Sequence, residues 1–258
     1  MGIDDVLVGI DDTDNLESRG TGHLARELAR EIYESGLARP LCVSRHQLLV
    51  DPRIPYTSHN SSACVQVTNV QDLDALTALC GSYLSMRAAP GSDAGLCVAP
   101  WDAIAPAIED WGARAQREVL DMAAAHALAT RHALALAGFT GTRGGVIGAL
   151  AAVGLRHAGN DGRVLWLPWL RELSGAHRAD ALMAQTGLQR ITTQAGETVP
   201  ADARIHLGDW ARPVLQNGLI TLWVEPAASG EDQHDFEWRV ITKDRIKHAT
   251  EGLAAHGD

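Results

Sequence analysis

The chain lacks any pair of cysteines at metal-binding or redox spacing. Its four cysteines, Cys42, Cys64, Cys80 and Cys97, lie far apart with no Cys-x-x-Cys, which argues against both a zinc ribbon and a catalytic dithiol. Residues 1–10 carry no basic stretch and no small-residue cleavage site, so no secretory signal is expected. No run approaches the roughly 18 uncharged apolar residues that a membrane span needs. Together these absences predict a cytoplasmic protein that does not contact a membrane. A basic tail is also missing, and the formal net charge is −10, which sets the expectation that nucleic acid is not bound without a partner chain. There is no internal repeat and no low-complexity linker, so the lobes should pack together. What remains is 258 residues, 46% apolar and 21% charged, enough to bury the core of one large domain or two modest ones.

Val6–Ile10 reads as a buried strand that breaks at Asp11. From His23 to Ser35 the apolar positions Leu24, Ala25, Leu28, Ile32 and Tyr33 repeat at helical spacing, and Gly36 stops the run. Strands are predicted at 41–44 with 47–50, and at 63–67, around a turn at 51–55 whose two prolines remove backbone donors. A helix is predicted over 72–84, a loop over 91–95, and helices through the alanine-rich segment from about 106 to 136. Strands at 164–167, 205–207 and 219–224 follow, with a polar acidic loop over 227–235 containing Glu231, Asp232 and Asp235.

Three features could carry chemistry. Asp11, Asp12 and Asp14 place three carboxylates within four residues at a strand end, where their repulsion calls for a cation or for donors. Magnesium held by one or two carboxylates and by phosphate oxygens suits that layout; a solvated, capped turn is the alternative. Gly20-Thr21-Gly22 opens a helix, whose unpaired N–H groups suit phosphate, although an ordinary N-cap threonine reads the same way. Thr140-Gly141-Thr142-Arg143-Gly144-Gly145 also precedes a helix, but matches neither the P-loop nor the dinucleotide fingerprint. His23, His46, His59 and His206 lie near strand ends or motif loops, with His59 the candidate for ligand contact. Asp93 could pair with an amine, or be a surface acid. The tryptophans of the last hundred residues read first as core anchors and second as stacking surfaces.

Gly9-Ile10-Asp11-Asp12-Thr13-Asp14, followed by Thr21 and Leu24-Ala25, resembles the amino-terminal signature of the archaeal tRNA-isoleucine agmatinylcytidine synthetase (TiaS) family. The likeness continues at Pro52, at Ile54-Pro55-Tyr56, at Ile147–Gly154 and more faintly at Pro213-Val214-Leu215. It implies a catalytic core of mixed α+β or α/β class, a kinase-like TiaS-type domain combined with a ferredoxin-like domain. The corresponding lobes would be 1–62 with 136–175 (kinase-like, ATP-binding), 63–135 (ferredoxin-like) and a strand-containing part over 176–258. The family uses ATP to phosphorylate a cytosine carbonyl oxygen, and agmatine then displaces the phosphate. By this resemblance Asp11, Asp12 and Asp14 would hold magnesium and the ATP phosphates, with Asp11 and Asp12 also catalytic. Thr21 would match the threonine that the family autophosphorylates. Gly20, Gly22, Arg143, Gly144 and Gly145 would line the ATP site, the basic residue being shifted by one position. His59, Asn60 and Asp93 are assigned to substrate.

The chain also departs from the family. Thr57-Ser58-His59-Asn60-Ser61 stands where the family has a basic Lys-Thr-Arg-Gly-Asn segment, so two permanent charges are gone. The resemblance covers the catalytic core, and with no Cys-x-x-Cys present neither the family's OB-fold nor its zinc ribbon is expected. The leading expectation is an ATP- and magnesium-dependent ligase or kinase acting on an oxygen of a small molecule, with an amine as its second substrate and a homodimer as an allowed assembly. The alternatives are a tRNA- or nucleotide-modifying enzyme that borrows its RNA-binding part from another chain, and a non-catalytic nucleotide-binding module.

Overall fold

The computed structural model describes residues 3–55, 57, 59–227 and 235–251; Tyr56, Ser58, Glu231 and Asp232 lie outside the described residues. β1 (Ile3–Asp11), α1 (Thr21–Ser35), β2 (Arg39–Gln47), β3 (Ser61–Val70), α2 (Leu73–Arg87) and β4 (Gly95–Pro100) follow one another along the chain. The four strands lie side by side as β4-β1-β3-β2, every neighbour antiparallel. Two interleaved β-α-β crossovers thus share one sheet. β3 pairs along both β1 and β2, so the sheet is continuous across residue 62.

Side-chain alternation explains the layers. Val6, Val8 and Ile10 of β1 bury against α1 and α2 through Leu24, Leu28, Ile32, Leu76 and Leu84. Leu7, Cys64 and Cys97 point to the opposite face, which is covered by α3 (Pro106–Ala115), α4 (Met122–Arg131) and α5 (Val146–Ala158). α5 lies on β1 at backbone distance. A Cβ on Gly9 would stand 2.1 Å from the Ala149 carbonyl oxygen, and one on Gly148 would stand 1.8 Å from Asp11 Oδ2. The small-residue character of this helix therefore brings its first turns against the end of β1.

β5 (Ala135–Gly138) extends the sheet beyond β4, and β6 (Arg163–Trp166) extends it beyond β2. From β6 the sheet runs on through β10 (Val214–Gln216), β11 (Leu219–Pro226), β12 (Trp238–Val240), β9 (Arg204–His206) and β7 (Ala176–Arg178), while β8 (Arg190–Thr192) pairs parallel to β11. α6 (Ala179–Thr186) joins the third core, built on Leu182, Ile191, Ile205, Leu215 and Leu222. α7 (Lys243–Glu251) is anchored by Ile246 on Val214 and Ile241. The fold is mixed α/β, with a 12-stranded sheet and seven α-helices among the described residues. Among them no helix is long and apolar enough to cross a membrane.

Three sequence expectations shift. α1 begins two residues early, at Thr21, with Gly20 as N-cap, so Thr21 is not the cap. Residues 48–50 leave the sheet. The alanine-rich segment ends not as helix but as edge strand β5, where pairing with β4 overrides alanine's helical preference.

Candidate active site

The end of β1 carries the acidic run into a cavity of about 280 Å³. Asp11, Asp12, Asp14, Thr21, His59, Asn60, Asp93, Gly144 and Gly145 all line it, with Gly148 and Ile147 of α5 behind them. Segments from opposite halves of the chain are thus brought to one place, because α5 crosses β1 where Gly145 and Gly148 leave room. A Cβ on Gly145 would stand 2.7 Å from the Asp11 carbonyl oxygen. Arg143 does not line the cavity; it holds a left-handed φ of 68° and packs on Gly138, whose added Cβ would meet its Cβ at 2.3 Å.

The carboxylates differ in their surroundings. Burial, then the neighbouring Asp12 charge, push the Asp11 carboxyl up to about 8, with Asp14 adding to the effect and the Asp12 N–H opposing it. Burial first, and next the Asp93 charge, raise Asp12 to about 6, while a hydrogen bond from the Asp93 N–H works the other way. Asp12 reaches this position through a left-handed φ of 50°, which aspartate tolerates better than most residues. Asp14 has no such strain. Its Oδ1 accepts the Thr21 hydroxyl at 2.8 Å and the Thr21 N–H at 3.3 Å, and its Oδ2 accepts the Thr57 hydroxyl at 2.9 Å. Thr21 Oγ1 in turn accepts from Thr13 Oγ1 at 3.1 Å and Thr13 N at 3.3 Å. Asp14 and Thr21 therefore form one hydrogen-bonded unit that ties the acidic loop to the first turn of α1.

The other expected residues hold loops as well as lining the cavity. Asp93 Oδ1 accepts the Thr142 N–H, and its carbonyl accepts the Gly145 N–H at 2.8 Å, so it organises the glycine turn. Asn60 donates its side-chain amide to the Leu49 carbonyl at 2.6 Å. Among the described residues no group of three or more His, Cys, Asp or Glu side chains is arranged to hold a metal ion. With both Asp14 oxygens already accepting hydrogen bonds, Asp11 and Asp12 are the pair that best fits a cation with phosphate oxygens completing its shell.

Gly20, Thr21 and Gly22 line a second cavity of about 370 Å³, which shares Asp14, Thr21, His59 and Ser61 with the first. Its walls also carry Arg45, Arg163, Arg212, Lys243 and Lys247, beside Trp210. No local motif announces this basic chamber. A further grouping looks catalytic and is not: Ser44 Oγ lies 2.8 Å from His46 Nε2, and His46 Nδ1 lies 3.1 Å from Asp161 Oδ2. Ser44 and His46 are wholly buried and line neither chamber, so this relay is a structural tie between β2 and the loop before β6. His23 pairs with Glu27 at 3.4 Å on α1, and His206 packs on Phe236. Neither lines either chamber.

Comparison with known proteins gives a likeness of fold. Neither a protein-family model nor a curated protein sequence matches the chain. Among solved structures, a tRNA fluorescent labeling enzyme is similar at 25% identity with a TM-score of 0.51, over 58% of this chain and 36% of that one. Apo TiaS, a tRNA agmatidine synthetase, is similar at 25% identity and a TM-score of 0.50, over 58% and 35%. TiaS in complex with its tRNA and ATP gives 24% and 0.51, over 58% and 36%. The chain thus matches only 35–36% of the length of these proteins. A TiaS-like fold is supported. The comparison overturns the expectation of a small-molecule substrate with nucleic acid an unlikely partner, because the neighbours that share the fold are enzymes of tRNA. The physical error was to read an averaged charge as a local one: the −10 total conceals five cations around a single cavity.

Proposed function

We propose that the chain is an ATP-using, RNA-modifying enzyme of the ligase type that phosphorylates an oxygen of an RNA base and so activates it. The observation that carries this reading is the convergence of Asp11, Asp12, Asp14, Thr21 and the Gly144-Gly145 turn on one cavity. A likeness of fold to enzymes solved with tRNA and ATP supports it. Phosphoryl transfer asks a protein mainly for positioning and charge neutralisation. At Gly144 only Thr142 Oγ1 lies near the missing Cβ, at 3.4 Å, which leaves room for phosphate oxygens to approach the backbone, and Asp14 holds the Thr21 hydroxyl in place. Asp11 and Asp12 would hold magnesium, which when bound would neutralise the phosphate oxygens and offset the burial and the repulsion that raise both carboxyls. The antiparallel β4-β1-β3-β2 order supports drawing the ferredoxin-like part over residues 3–100 rather than 63–135, with α5 and the glycine turn completing the ATP-binding part.

The direct test is ATP consumption by purified protein with magnesium, with and without bulk tRNA. RNA-stimulated turnover that falls at least about 100-fold in Asp11→Asn is expected, in line with losing a group that acts on transferring charge. Turnover that is absent with every RNA, or is unchanged in Asp11→Asn, contradicts the proposal.

A further inference from the structure

The second chamber holds a concentration of positive charge that the overall composition does not suggest. Only two lysines occur in the whole sequence, Lys243 and Lys247, and both line this cavity from α7. At i and i+4 they share one face of the helix, which the burial of Ile246 at 2% exposure fixes against the sheet. Arg45 of β2 and Arg163 of β6 are register partners on adjacent strands. Two like charges placed directly opposite each other destabilise a sheet pair. Arg212 adds a third guanidinium: its centre lies 4.1 Å from the Trp210 ring, with Arg171 4.5 Å from the same ring. The Nε of Arg212 is buried without a hydrogen-bond partner. Burial and the nearby Arg163 lower the Arg212 pKa, with Asp244 opposing them; burial and then Arg26 and Arg212 lower that of Arg171. A bound anion would give the Arg212 Nε an acceptor and offset the burial of its charge.

From the cross-strand arginines, the two lysines and the indole-braced Arg212 we infer that this chamber is a phosphate site, occupied by the backbone of the RNA strand whose modified base enters the neighbouring acidic cavity. The inference rests on the RNA reading above. An RNA backbone is favoured over the nucleotide's own phosphates by how the cations are distributed. They come from four separate segments, at 45, 163, 212 and 243–247, rather than from one phosphate-cradling loop. The two chambers meet at Asp14, Thr21, His59 and Ser61, so a strand held in one delivers a neighbouring nucleotide to the other.

The test measures affinity for a fluorescent single-stranded RNA over a salt series, and affinity for ATP with magnesium, in the full chain. Lys243→Gln/Lys247→Gln is the primary variant because it removes charge from the surface without touching the core; Arg163→Gln/Arg212→Gln is the second. The expected result is weaker RNA binding, with the slope of log K against log salt reduced by about 0.7 for each cation removed, and unchanged ATP binding. Unaltered RNA affinity and slope in both variants overturn the inference while leaving the proposed function standing. Loss of ATP binding with RNA binding retained also overturns it, assigning the chamber to the nucleotide. Failure of the unmodified protein to bind RNA at low salt removes the proposed function and this inference together.

Discussion

Replacing Asp11 by asparagine should alter the pH dependence of stability. Burial against the first turn of α5, with the Asp12 charge next in importance, raises the Asp11 carboxyl from 3.8 to about 8. A folded state that holds its proton more tightly than the unfolded chain loses stability as pH rises between the two values. The loss is up to about 1.4 kcal/mol per pH unit for one group. It begins near the unfolded value, continues until the folded value is passed, and levels off above that. Over pH 5 to 8 this amounts to at most about 4 kcal/mol for Asp11, to which Asp12, itself raised to about 6, adds a smaller loss that is complete once its own value is passed. The asparagine side chain carries no charge at any pH, so the variant should equal or exceed the unmodified protein at pH 8 and approach it at pH 5. The assay is urea denaturation at pH 5, 6, 7 and 8 in chelator-treated samples, with the midpoint and m followed separately. Identical pH slopes in the two proteins would refute the reasoning, because the strained carboxyl would then have to be in water.

Gly148→Ala should disable the acidic cavity from behind. The new methyl would lie 1.8 Å from Asp11 Oδ2, and the overpacking should cost about 1–3 kcal/mol by denaturant titration together with loss of ATP turnover; full turnover would show that Asp11 need not hold its place. Thr21→Ala removes the hydroxyl that links Asp14 to Thr13 and should lower stability by about 1–3 kcal/mol, whereas Thr21→Ser should retain most of it. Equal losses in the two variants would mean that the methyl, not the hydroxyl, matters. Ser44→Ala should cost about 1–2 kcal/mol through the His46 ring nitrogen it leaves without a partner, with ATP turnover unchanged; a large loss of turnover would reveal that the buried relay takes part in the chemistry.

What can be read from the chain depends on whether the information is local. β1, the start of α1 and the glycine turn before α5 each announce themselves within a short stretch, through periodicity and glycine punctuation. The acidic cavity can therefore be assembled in advance from its motifs. The reason for its glycines cannot. Gly145 and Gly148 serve the approach of helix to strand, and only the packed structure supplies the neighbours that make a Cβ impossible. The strands β7, β8, β9, β10 and β12 have three residues each, too few to show a period of two, and of these only β9 is anticipated by its composition. The basic chamber escapes sequence reasoning for a different reason. Its arginines and lysines come from positions 45, 163, 212, 243 and 247 and meet only because β2, β6 and α7 do, while the net charge points the other way. Ser44, His46 and Asp161 teach the converse lesson, since a familiar arrangement of side chains means little when no cavity reaches it.

Calorimetric titration with a non-hydrolysable ATP analogue tests most directly whether the acidic cavity is a metal–triphosphate site. Binding that requires magnesium, and that is abolished by Asp11→Asn/Asp12→Asn while Ser44→Ala binds normally, is the predicted result. Binding that is equally tight without a divalent cation, or that survives loss of both carboxylates, contradicts it.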